Sequence, residues 1–218
     1  PEALNKAIQS LEIGVDALDG SGPTHELVAE PETFATLQHP TADRLFRVYR
    51  AIQQRISLEE ISKATSYDLW FLAQMQEIRN CELEIRNCKT EVELKPILRY
   101  AKQMGFADSH ISRLLTNYQL PITNIRELRK HLGIVPTFQR VDTCAAEFES
   151  QTPYLYSAYE MEDESRPTDK QKILILGGGP NRIGQGIEFD YCCCQAAFAL
   201  SKIGYETIMY NFNPETVS

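Results

Sequence analysis

The sequence has no apolar run approaching the roughly 20 residues that a bilayer-spanning helix needs, and no secretory leader pattern. Histidine is scarce. His25, His39, His110 and His131 are scattered, without HExxH or other ligand spacing, so no metal site is expected. No GxSxG or comparable nucleophile motif occurs, and there is no internal repeat or low-complexity tract. Paired CxxC motifs are also missing. Of the six cysteines, Cys81 and Cys88 fall on one helix face but too far along it for a disulfide. Cys192, Cys193 and Cys194 are adjacent, and helical neighbours point about 100° apart, so they cannot converge on one metal. Small apolar fillers in a reducing cytoplasm are the expected role. Positive charge is short as well, with 22 Lys+Arg against 30 Asp+Glu and a net charge of −8. Residues 170–218 carry four of each sign, so the acidic excess lies in residues 1–169. Such a chain repels nucleic acid and anionic membranes in the mean.

What is present is helical over the first two thirds. Leu4, Ala7, Ile8 and Leu11 have helical spacing before Gly14. Residues 14–40, rich in Gly, Pro, Asp and Thr, read as a long surface loop. Helical spacing resumes at Leu45, Val48, Tyr49 and Ile52. Ser57 and Glu60 then form a capping box, and Ser66 is the expected cap of a helix bearing Leu69, Trp70, Leu72, Met75 and Ile78. Lys95-Pro96 suits a helix start, with Gly105 as its stop. Asp108 or Ser109 should cap the next helix, and Thr123 should open one that Gly133 ends. Residues 141–148 and 154–159 are apolar and aromatic, and are expected to pack. A polar linker follows over 160–172.

Beyond the linker the pattern changes. Residues 172–176 form a continuous apolar run that suits a strand buried on both faces. A glycine-rich turn follows, then helical spacing over 189–202, Gly204, and a second apolar run over 207–212. A crossover through that helix makes the two strands parallel. One helix cannot cover both faces of a sheet, so the sequence is expected to stop inside a domain. Pro1 stands without a Met, inside a helix, so the natural start is expected upstream.

Three features invite function. The loop 177–184 follows a strand and opens a helix, where glycines admit a phosphate and the helix N-terminus attracts anions. Its spacing departs from GxGxxG, and Pro180 removes an amide, so by itself it marks fold more than cofactor. Glu188 and Asp190 suit the helix dipole, or Glu188 faces a cavity beside Gly186; composition leaves both open. Residues 108–133 have a helix-turn-helix spacing with Arg126, Arg129 and Lys130 on the second helix. The alternative reading is therefore a DNA-binding regulator, although the joining stretch is long and the chain is acidic.

The runs LGGGPNRIGQGIEFDYCC (176–193) and GYETIMYNFNPETVS (204–218) closely resemble the start of the second synthetase half of carbamoyl phosphate synthetase large subunits. RVDTCAAEF (140–148), YLYSAYE (154–160), PTADR (40–44) and WFL (70–72) resemble the preceding oligomerization domain, and ALNKAIQSLEIG (3–14) resembles the last helix of the first half. The resemblance implies a mainly α fold: residues 1–14 ending the first half, a helical oligomerization domain over 15–168, and a truncated Rossmann-like, pre-ATP-grasp α/β element over 169–218. It implies an ATP-dependent ligase that makes carbamoyl phosphate from bicarbonate, glutamine-derived ammonia and two ATP with Mg2+ or Mn2+, for arginine and pyrimidine biosynthesis. It implies self-association and a glutaminase subunit or domain as partner, with no nucleic acid or membrane. Gly186 and Glu188 match positions lining the family's carbamate tunnel. Asn211, Asn213, Glu215 and Thr216 match a signature to which no catalytic role is assigned. The ATP-grasp residues lie outside this chain, so no catalytic, cofactor or metal residue is expected here, and the piece alone should be inactive. The third cysteine of Cys192, Cys193 and Cys194 departs from the usual pair.

Overall fold

The computed structural model describes residues 1–23, 31–115, 124–177 and 188–210, with the backbone alone for 188–190. The chain forms two compact units, Pro1–Ser165 and Arg166–Ser218.

The first unit is a bundle of short helices. Helix α1 (Glu2–Ser10) is followed by α2 (Phe34–Gln38), α3 (Arg44–Gln53), α4 (Leu58–Thr65) and the long α5 (Leu69–Asn87). Helices α6 (Glu91–Gln103), α7 (Asp108–Leu114) and α8 (Ile125–His131) complete it. The core is one cluster in which Tyr49, Leu72, Ile78, Leu94, Leu98 and Ile111 are fully buried. Each aliphatic member contributes about 1.5–3 kcal/mol on burial.

The helix ends follow local chemistry. The Ser57–Glu60 capping box opens α4 as expected, and a second box, Thr90 with Glu93, opens α6. That second box moves the start of α6 ahead of Lys95-Pro96, leaving Pro96 inside the helix. Its missing amide would have bonded the carbonyl of Val92, whose residue is exposed to solvent, so water can take its place. Ser66 does not open α5. It sits in left-handed conformation at the end of α4, and Asp68 caps α5 by accepting from the Trp70 amide at 2.8 Å. Asn124 caps α8, while the expected opener Thr123 lies outside the described residues. Gly105 ends α6 with φ +80°, and a Cβ there would stand 2.9 Å from the Glu2 carbonyl oxygen. Helix α1 packs onto this turn, with Asn5 donating to the Met104 carbonyl at 2.8 Å and Gln9 to that of Gly105 at 2.7 Å.

Residues 14–22 are not a surface loop. Val15, Ala17 and Leu18 are buried, and the Asp16 carboxylate accepts from Ser109 and Arg113. An apolar VDAL segment folds inward because one ionic anchor satisfies its acid. Further along, Glu32 is buried but receives both Arg47 (3.2 Å) and Arg50 (3.0 Å) from α3.

Two short antiparallel strands, β1 (Thr137–Arg140) and β2 (Leu155–Ala158), pair Thr137 with Ala158 and Arg140 with Leu155. They join the bundle through Lys6, which donates to the Ser157 carbonyl at 3.1 Å, and Gln103, which donates to that of Tyr159 at 3.2 Å. Ala158 is buried, but Phe148, Tyr154 and Tyr156 are exposed, contrary to the expected packing of both segments. A two-stranded ribbon can bury only one face on the bundle.

The second unit holds β3 (Lys172–Leu176), α9 (Glu188–Lys202) and β4 (Glu206–Tyr210). The strands are parallel, in register from Lys172 with Glu206 to Leu176 with Tyr210. Gly204 stops α9 at φ +96°. Strand β3 is not buried on both faces: Leu174 and Leu176 are exposed, and its residues alternate in burial. Among the described residues α9 is the one helix against this pair, so one sheet face stays open.

Candidate functional site

Of the residues expected to matter, Gly186 lies outside the described residues, as do Asn211, Asn213, Glu215 and Thr216. Glu188 is the first residue of α9, placed by its backbone. Around them the scaffold is defined. The carboxyl end of β3 leads through the glycine-rich segment into the N-terminus of α9. The Gly177 amide donates to the Tyr210 carbonyl at 2.8 Å, so the two strands stay joined to their ends. In open α/β sheets that end is where ligands are held.

In the helical unit the most unusual surface is the start of α5. Trp70 and Phe71 are 62% and 60% exposed, and their rings meet edge-to-face with centroids 5.0 Å apart. Leu69 beside them is also exposed. The Asp68 cap and the left-handed Ser66 fix the backbone that presents them. These adjacent large apolar groups exposed to water make the start of α5 the candidate association surface.

Of the basic residues in the helix-turn-helix reading, Arg126 and Lys130 are exposed but Arg129 is engaged in the bundle. Arg129 is buried, forms a two-point bond to Asp108 (2.9 and 2.6 Å) and donates to the Ile134 carbonyl at 3.3 Å. Lys130 lies 3.5 Å from Glu127. A guanidinium locked inside the bundle cannot read a base edge, so this helix is a packing element and not a recognition helix. Lys102 joins the same carboxylate at 2.9 Å and bonds the Phe106 carbonyl at 2.6 Å, while the Tyr159 ring lies over both cations at 5.3 and 5.6 Å. Asp108 therefore serves as the hub of a buried ionic cluster rather than as a helix cap, and α7 starts without a side-chain cap.

A second buried polar cluster joins α3, α5, α7 and the segment 14–22. Glu82 and His110 are fully buried, Tyr49 likewise, and Asp19 is half-buried. Burial first, and then the Glu82 charge, push the Tyr49 phenol well above its ordinary value. Glu82 had a sequence signal: it stands on the apolar stripe of Met75, Ile78 and Ile85, where an acid requires a partner. His110 and Asp19 had none, since only folding brings them to it.

A helical unit with an uncovered aromatic edge, followed by the opening strand–helix–strand of a parallel sheet, defines the class: an interaction domain joined to a Rossmann-like α/β element. The family profile described as carbamoyl-phosphate synthetase large chain, oligomerisation domain, matches residues 1–133, and that of the carbamoyl phosphate synthase preATP-grasp domain matches residues 169–218. The chain belongs to the carbamoyl-phosphate synthetase large chain family. It is similar along its whole length to the carbamoyl phosphate synthase large chains of Methanothermobacter thermautotrophicus, at 48% identity, and Vibrio cholerae, at 45%. It is likewise 45% identical to the arginine-specific large chain, chloroplastic, of rice. It spans 18–20% of the length of these relatives.

Proposed function

We propose that this chain is the self-association and linker region of a carbamoyl phosphate synthase large subunit. One observation carries the reading: the oligomerisation and preATP-grasp matches stand on one chain in that order, either side of a boundary between two compact units. In this reading residues 1–14 close the first synthetase half, 15–168 are the helical oligomerization domain and 169–218 begin the second half. The remainder of that half covers the open face of β3 and β4. The exposed Trp70, Phe71 and Leu69 supply the self-association surface.

The parent is a ligase that spends two ATP, with Mg2+ or Mn2+, to make carbamoyl phosphate from bicarbonate and ammonia. A glutaminase subunit or domain releases the ammonia from glutamine. Carboxyphosphate and carbamate decompose in water, so they must pass between the two active sites in a sealed route. Gly186 keeps that passage open because it has no side chain, and Glu188 gives it a polar wall without a nucleophile. The chain by itself turns over no ATP. Cys81, Cys88, Cys144, Cys192 and Cys194 are free thiols, which agrees with a reducing cytoplasm. No helix of the described residues is long and apolar enough to cross a membrane. The arginine-specific rice relative favours a place in arginine supply, with pyrimidine synthesis as the other consumer.

The test is Gly186→Phe in the full-length enzyme. Both ATP-dependent half-reactions should persist while overall synthesis falls. Unchanged overall synthesis would remove Gly186 from the passage. Carbamoyl phosphate made by the 218-residue chain alone would overturn the reading of this piece as non-catalytic.

A further inference from the structure

The cluster around Glu82 has the composition and spacing of a metal site. One ligand atom each from Asp19, Glu82 and His110 lies within 4.8 Å of the other two. His110 Nε2 stands 3.4 Å from Glu82 Oε1. That is longer than a good N–H···O bond, about 2.7–3.2 Å. It matches the edge of a tetrahedron around zinc, about 3.3 Å for ligand bonds of about 2.0–2.1 Å. Among the described residues Glu82 Oε1 and His110 Nε2 have no hydrogen-bond partner.

A separate group points the same way. The Tyr49 hydroxyl is fully buried and faces Glu82 and Asp19, close enough to direct its hydrogen to the Glu82 carboxylate. Two buried polar atoms, Glu82 Oε1 and His110 Nε2, without a hydrogen bond among the described residues run against the rule that interior polar groups are satisfied. Glu82 and Asp19 bring two carboxylates, and Arg79 lies 3.4 Å from Glu82 Oε2. The supports are rigid: Phe106 stacks on the His110 ring (5.0 Å, 2° between planes), and Glu82 stands mid-helix in α5. Asp19 comes from a turn in which its Oδ1 accepts from the Ser21 amide at 2.8 Å.

We propose that Asp19, Glu82 and His110 bind a divalent cation of the zinc class and so pin the segment 14–22 onto helices α5 and α7. One imidazole nitrogen and two carboxylates suit zinc; magnesium and calcium ask for six or more oxygen ligands. The cation cancels both carboxylates, and Tyr49 donates its hydroxyl hydrogen to a ligating carboxylate, the outer support typical of such sites. All three ligand residues belong to the first unit.

The experiment strips the full 218-residue chain with a chelator and titrates it with zinc by calorimetry, with metal content measured after gel filtration. One equivalent should bind and raise the thermal midpoint. Cobalt should give the visible spectrum of a tetrahedral N/O site without thiolate charge transfer. Glu82→Gln should abolish binding, and Asp19→Asn, on the half-buried turn and so mild for folding, should weaken it at least about tenfold. Replacing Cys192, Cys193 and Cys194 together by serine should leave binding unchanged. The proposal falls if zinc does not bind at micromolar concentration, if binding survives Asp19→Asn at full strength, or if the serine variant loses it.

Discussion

Replacing Asp108 by asparagine probes the ionic hub that holds α6, α7 and α8 together. The side chains of Lys102 and Arg129 are each 10% exposed, and both depend on the Asp108 carboxylate, itself 29% exposed. Removing one partner of a buried charge pair costs about 3–5 kcal/mol. The lower end applies here, because Lys102 keeps the Phe106 carbonyl, Arg129 keeps that of Ile134, and both keep the Tyr159 ring. A loss of about 3 kcal/mol lowers the midpoint of a unit this size by about 6–12 °C. The pH dependence has a definite sign. Burial pushes the Asp108 carboxyl up, but hydrogen bonds from Arg129 and Lys102, with their charges, outweigh it and hold the group below its ordinary value. A lowered folded-state value stabilises above the unfolded value, about 3.9. That contribution disappears as pH falls through the folded value. Urea unfolding of wild type and variant should therefore differ by about 3 kcal/mol at pH 7 and converge below about pH 4. A variant within about 0.5 kcal/mol of wild type at pH 7, or a gap of the same size at pH 3, would refute the hub.

Other outcomes follow from the helix ends and the thiols. Ser57→Ala and Thr90→Ala each remove a capping box and should each cost about 1 kcal/mol in urea unfolding. The two losses should add, since the caps share no partner; a neutral Thr90→Ala would undo the early start of α6. Burial, and then Glu84 and Glu82, push the Cys81 thiol up to about 12, whereas Cys192 is exposed. A chromogenic disulfide reagent at pH 8 should label Cys192 in the native chain and Cys81 only on unfolding, and peptide mapping that finds native Cys81 labelled would contradict its burial.

Local chemistry was the most legible part of this fold. The Ser57–Glu60 box and the stops at Gly105 and Gly133 need only neighbours in sequence, and they stand where the letters place them. The departures come where a residue with a local vocation is claimed by a distant one. Asp108 reads as a cap, but Lys102 and Arg129 take its carboxylate. Residues 14–22 read as polar loop, but Asp16 finds Arg113 and lets Val15 and Leu18 turn inward. The β1–β2 ribbon pairs Thr137 with Ala158 and has no tight-turn signal between, so its strands stayed hidden. Strand β3 shows the reverse. Its apolar run was plain, but burial needs layers that one helix does not supply. For Gly186 and Glu188 the residues left two readings open, and family resemblance chose the tunnel-lining one. Of the buried cluster, only the acid on the α5 stripe left a trace in the letters.

Self-association through the start of α5 is measurable by sedimentation equilibrium of the 218-residue chain up to high micromolar concentration. The wild type should form dimers or larger species. Trp70→Ala with Phe71→Ala removes two exposed aromatic anchors, each worth about 2 kcal/mol or more at an interface. Together they amount to about 4 kcal/mol, so the double variant should dissociate roughly 1,000-fold more readily, with unchanged helical circular dichroism. A wild-type chain that stays monomeric throughout, or a double variant that associates as tightly as the wild type, would contradict the account.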